Sequence, residues 1–145
     1  MTTANPTLIE RLDDDLAGAL CAIIQRITYA AKAKGRYGQR LTEFFLAGIP
    51  DEQARAQFLA KEIVALGGEP PTVSRAVPRA STNREMLQAV LVTQHQAAQD
   101  HGERAKEARE LGHQALAKKL EDLVRQEEVH AARTERILRD WGLQS

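Results

Sequence analysis

The chain has 145 residues, twenty Lys+Arg against twenty Asp+Glu, and a single cysteine. That length supports one domain, residues 1–145, with one core, and the balanced charge offers no global attraction for nucleic acid. Cys21 alone excludes an internal disulfide and a thiolate-rich zinc site, and neither a secretory leader nor a membrane-length apolar run is legible, so the cytoplasm is the expected location.

Ala, Leu, Glu, Gln and Arg are common, and all are strong helix formers. No stretch alternates with period two for long enough to suggest a sheet. Asn5-Pro6 suits an N-cap followed by proline at the first helical position. Behind it Leu8, Leu12, Leu16, Leu20, Ile23, Ile24 and Ile27 form a helical apolar stripe that runs toward Gly35. A second helical segment follows from Tyr37 to Leu66, interrupted by Pro50, which should kink or divide it. Gly67-Gly68 ends that segment.

From Glu69 to Ser81 the prolines 70, 71 and 78 and the mixed polar residues predict an extended crossover. Thr82-Asn83-Arg84-Glu85 then matches a capping box that opens a third helix reaching Leu111. Gly112 separates it from a fourth, His113 to Asp140. Short, long and short connections describe two antiparallel hairpins joined by one crossover. Helices of about 27 residues would be about 40 Å long.

Late in the fourth helix, Glu127-Glu128-Val129-His130 places a Glu and a His three residues apart on one face. Such a pair can reach one metal ion together, although Glu and His on a long helix are commonly solvated. Elsewhere Cys21 reads as a buried inert thiol, Glu43, Glu62 and Glu121 as surface or salt-bridge groups, and His113 as an exposed helix start. Tyr29, Tyr37 and Trp141 are candidates for the bundle end or a partner interface.

Several segments carry a family resemblance: Leu12-Asp13-Asp14-Asp15-Leu16 through Gln25, Asp51 to Ala56 leading into Leu66-Gly67-Gly68-Glu69-Pro70, Glu85-Met86-Leu87, and the Glu127–His130 motif. Together they make nearly the whole chain resemble the ferritin-like superfamily, nearest its bacterioferritin-related branch. The resemblance implies an all-α, ferritin-like antiparallel four-helix bundle with a long crossover between helices two and three. It also implies a central pair of metals held by one carboxylate on each of two helices and a Glu-x-x-His on each of the others.

Carried onto this chain, that ligand set is incomplete. The first-helix carboxylate position holds Ala19. The second helix keeps Glu52, but the His position holds Arg55. The third-helix Glu position holds Gln94. The metal positions that remain are Glu52, Glu127 and His130. A guanidinium at Arg55 can satisfy Glu52 and Glu127 in place of a metal. His101, seven residues after Gln94, shares its face and is either a packed core histidine or part of an offset site. Asp15 is either an inward carboxylate or a solvated one near the helix start.

The resulting expectation is a cytoplasmic scaffold, at least a homodimer, with a degenerate and metal-free centre. Full ferroxidase activity is not expected. The competing expectation is a protein that binds iron or another divalent metal, oxidises Fe(II) at a diiron or altered site, and stores iron in a hollow assembly. No haem is expected, because the axial-methionine position of bacterioferritins is Gln53 here. A DNA-protecting role like that of the stress ferritins lacks a basic tail to support it.

Overall fold

The computed structural model describes residues 5–141. Among them are five helices and no strand: α1 (Pro6–Lys32), α2 (Gly38–Ala47), α3 (Ile49–Ala65), α4 (Asn83–Glu110) and α5 (Gln114–Asp140). α2 and α3 form one bent helix, so the architecture is an antiparallel four-helix bundle of α1, α2–α3, α4 and α5. The bend falls at Gly48, two residues before the proline expected to cause it. Pro50 instead occupies the first turn of α3, where a missing N–H costs nothing. A Cβ on Gly48 would meet the Arg26 guanidinium, which would have to shift to make room.

Helix ends follow the sequence with one exception. Thr82 accepts from the Glu85 N–H (3.1 Å) and Glu85 accepts from the Thr82 N–H (3.1 Å), completing the capping box. α4 ends in a Schellman turn, with Gly112 at φ 87° and the His113 N–H donating to the Ala108 carbonyl at 2.8 Å. The exception is Asn5. It adopts a left-handed conformation with no side-chain cap, and its amide lies 2.8 Å from Nε2 of His113 instead. His113 is thereby half-buried rather than exposed.

Two apolar clusters fill the ends of the bundle. One joins Leu8, Leu12 and Leu16 to Leu59, Ile63, Leu116, Leu120 and Leu123. The other joins Tyr29, Leu41 and Phe45 to Met86, Leu87, Val90 and Ile137. The first takes the start of α1 and the end of α4, and the second takes their opposite ends, so these helices run antiparallel. α3 finishes at one end and α4 starts at the other, so residues 66–82 must travel the length of the bundle. They do so along α1: the Arg75 N–H donates to the Ala17 carbonyl (3.2 Å), Tyr29 Oη donates to Pro78 O (2.5 Å), and Lys32 Nζ reaches Ala80 O.

The apolar stripe read on α1 is narrower than expected. Leu8, Leu12 and Leu16 are sealed, while Ile24 and Ile27 are 44% and 53% exposed on its outer face. Trp141 stacks on Tyr37 at the bundle end, centroids 5.5 Å apart.

Candidate metal centre

Between the two apolar clusters lies a belt of buried polar side chains contributed by every arm of the bundle. Helical spacing explains how they meet. Glu52 and Arg55 are one turn apart on α3, Gln94, His101 and Arg104 share the inner face of α4, and Glu127, His130 and Thr134 do the same on α5. Burying so many polar groups costs stability unless they satisfy one another, and most of them do.

Arg55, 3% exposed, sits between Glu52 and Glu127. Its Nη1 donates to Glu52 Oε1. Its Nη2 lies 2.6 Å from Glu127 Oε1, a charge contact rather than a hydrogen bond, because the geometry does not align the N–H with that oxygen. His130 Nδ1 is 3.5 Å from the same Glu127 oxygen, and its Nε2 is 3.2 Å from Asp51. The three residues singled out by sequence, Glu52, Glu127 and His130, are therefore neighbours. Ala19 is buried on α1 beside the centre. Gln94 accepts from the Thr134 hydroxyl at 2.8 Å. Glu128 points to solvent.

A second buried ion cluster lies nearby. Asp15 turns inward, 5% exposed, and accepts from Arg104 Nε (2.8 Å) and Nη2 (3.3 Å). Arg104 also donates to Glu107 at 2.7 Å. Burial pushes the Asp15 carboxyl up to about 6, even though Arg104 pulls the other way. Burial also disfavours the Arg104 cation, but Asp15 and Glu107 outweigh it and hold the guanidinium above its ordinary range. His101, 2% exposed, has neither ring nitrogen hydrogen-bonded among the described residues. Burial, helped by the positive Arg55, lowers it to about 4, so it is neutral at physiological pH. Arg26 donates to the Phe45 carbonyl (3.3 Å) and lies over the Phe44 ring; its burial lowers the guanidinium pKa. Cys21 is buried, 3.5 Å from Ala76 O, and burial pushes its thiol up.

Sequence reasoning left Asp15 open and missed Arg104, Arg26 and Asp51. Arg104 was signalled by its place three residues after His101 and next to Ala105, on a face that was already apolar. Arg26 was signalled by a charge set inside the α1 stripe. The Asp51–His130 contact joins two helices and had no local signal.

Comparison with known proteins agrees with this layout. The ferritin-like domain family matches residues 9–143. The ferritin-like, diiron-carboxylate protein of Bacillus anthracis str. Ames is 37% identical, with a TM-score of 0.91 over 96% of this chain and 100% of that one. The BfrA structure from M. tuberculosis gives 24% identity and a TM-score of 0.85, covering 93% of this chain and 84% of that one. Dps from Thermosynechococcus elongatus gives 19% and 0.83, covering 96% and 95%. No curated protein sequence matches. With its match spanning nearly the whole chain, the protein belongs to the ferritin-like domain family.

The fold therefore implies a dinuclear metal centre, and the side chains present do not fit one. Ala19 carries no donor atom, the Gln94 oxygen is neutral and already accepts from Thr134, and Arg55 holds a fixed cation against both central glutamates. Among the described residues, no three His, Cys, Asp or Glu side chains converge as a metal-binding group.

Proposed function

We propose that the chain is a bacterioferritin-related bundle in which a buried salt-bridge cluster has replaced the dinuclear centre. It works as a cytoplasmic oligomeric scaffold, at least a dimer, and lacks full ferroxidase activity. One observation carries this reading: the Arg55 guanidinium between Glu52 and Glu127. A divalent ion about 4 Å from a guanidinium is repelled by on the order of 8 kcal/mol at an effective dielectric near 20. That would cancel about half of the attraction from two carboxylates at the same distance. Gln53, exposed on α3, supplies no thioether for haem.

Oligomerisation is supported by Ile24 and Ile27, exposed and one turn apart on the outer face of α1. Paired apolar side chains on the outside of a helix suit a helix from a second copy. Light scattering should give a mass of at least two chains, and Ile24→Lys combined with Ile27→Lys should reduce it. A monomeric wild-type protein would remove the oligomeric part of the reading.

The central test is an anaerobic Fe(II) titration followed by oxygen uptake. The wild type is expected to show neither stoichiometric binding nor rapid uptake. The combined Ala19→Glu, Arg55→His and Gln94→Glu variant is expected to regain binding. Stoichiometric Fe(II) binding with fast oxygen consumption by the wild type would establish the competing reading. That reading is an iron-oxidising, iron-storing protein with Glu52, Glu127 and His130 as its ligands.

A further inference from the structure

A cavity of about 200 Å³ opens between α1, the crossover and the middle of α4, and runs inward to the buried belt. Its outer rim includes the exposed Arg75, Ala76 and Gln96, and its inner end is closed by Ala19, Arg55 and His101. The walls are mainly apolar, set by small residues such as Gly18, Ala22 and Ala97. Ala19 is central to its existence, because a longer side chain there would project into this space. A dry apolar cavity of about 150 Å³ is large enough for benzene, so the volume matches a single small ring.

The inner end is chemically unusual for an apolar pocket. His101 is 2% exposed, lines the cavity, and finds no partner among the described residues for either ring nitrogen. An orphaned buried polar group is costly and rare in folded proteins. Arg55 Nε, also at this end, is a further buried donor without a hydrogen bond. Charge complementarity selects the ligand. Each carboxylate there already contacts a guanidinium, Glu52 and Glu127 that of Arg55, Asp15 that of Arg104 and Asp100 that of Arg75, so an added ion meets no bare opposite charge. A neutral imidazole presents one N–H and one lone pair, which a hydroxyl can match with one lone pair and one proton.

We propose that this cavity is a binding site for a small uncharged ligand with an apolar body and one hydroxyl, of the size and chemistry of phenol. The ring fills the space beside Ala19, and the hydroxyl exchanges hydrogen bonds with His101 at the inner end. The inner end adjoins the central positions Ala19, Glu52 and Arg55, so phenol is titrated into metal-free protein and its binding is read independently of the Fe(II) titration.

Phenol is titrated into the full-length protein at neutral pH by calorimetry, with benzoate and benzylammonium as charged counterparts of similar size. Saturable binding of one phenol per chain is expected, with each charged probe at least about tenfold weaker. Ala19→Leu fills the cavity and should abolish binding. His101→Leu keeps the volume but removes the hydroxyl's partner, and should weaken binding about tenfold. Both variants are checked for wild-type helicity and cooperative melting. Cys21, the sole cysteine, lines the same cavity, so saturating phenol should slow its reaction with a small thiol reagent in the unmodified protein. That readout, together with His101→Leu, decides the matter if Ala19→Leu does not fold. Non-saturable binding, benzoate binding as tight as phenol, or no change on His101→Leu with unprotected Cys21 would overturn the proposal.

Discussion

Arg55 on α3 and Arg104 on α4 are both nearly sealed from solvent, and each faces a carboxylate from another helix. Arg104 holds Asp15 through two nitrogens and shares its remaining charge with the partly exposed Glu107. Arg55 faces two carboxylates that are themselves buried, Glu52 and Glu127. The difference lies in what remains when the cation is removed. Asp15 is left as one carboxyl whose pKa is already near 6, so it can take up a proton at little cost. Glu52 and Glu127 are left as two buried carboxylates with no cation between them. One guanidinium is a local brace, and the other bridges two buried glutamates from different helices.

Arg55→Leu should therefore be the most damaging substitution in the belt. A loss of about 3–5 kcal/mol is expected at neutral pH, and urea unfolding measures it. An equal loss from Arg55→Leu and Arg104→Leu would erase the distinction between the clusters.

His101 and Asp15 sharpen the comparison through pH. The imidazole titrates near 6.5 when unfolded and near 4 in the fold. Between those values only the unfolded chain binds the proton, so stability present above pH 6.5 is lost as pH falls toward 4. The full effect is on the order of 3 kcal/mol. Asp15 moves the other way, from 3.8 unfolded to about 6 folded. The native state holds the extra proton in that window, so Asp15 contributes stability as pH falls from 6 toward 4. The wild type should show a shallow acid limb because the two partly offset each other. His101→Phe should gain stability relative to wild type as pH drops through the window, measured by unfolding at half-unit pH steps.

Smaller effects complete the series. Arg104→Leu is expected to cost about 1–2 kcal/mol near neutrality, less than a severed buried pair ordinarily costs, because Asp15 can protonate. Thr134→Val removes the donor to Gln94 and should cost about 1 kcal/mol, visible as a modest shift in the urea midpoint.

The architecture was largely legible because helix period, glycine stops and a capping box are local signals. Glu52, Arg55, Gln94 and Glu127 were singled out by the family resemblance, and all four are buried. Asn5 was misread for a local reason as well: a cap residue looks decisive in sequence. Asn5 instead lies beside His113, 108 positions away, and the helix divides at Gly48 with Pro50 in the first turn of the helix that follows.

By itself the sequence determined the helices and the crossover, since periodicity, caps and breakers are local, and its resemblance to the ferritin-like family directed attention to Glu52, Arg55, Gln94 and Glu127. Only the tertiary structure decided that Asp15 turns inward to Arg104, that His101 is left without a partner among the described residues, and that a cavity opens beside Ala19. Those facts depend on which side chains from separate helices arrive at the same depth of the bundle, and on how much volume remains once they have packed. No single helix carries that information.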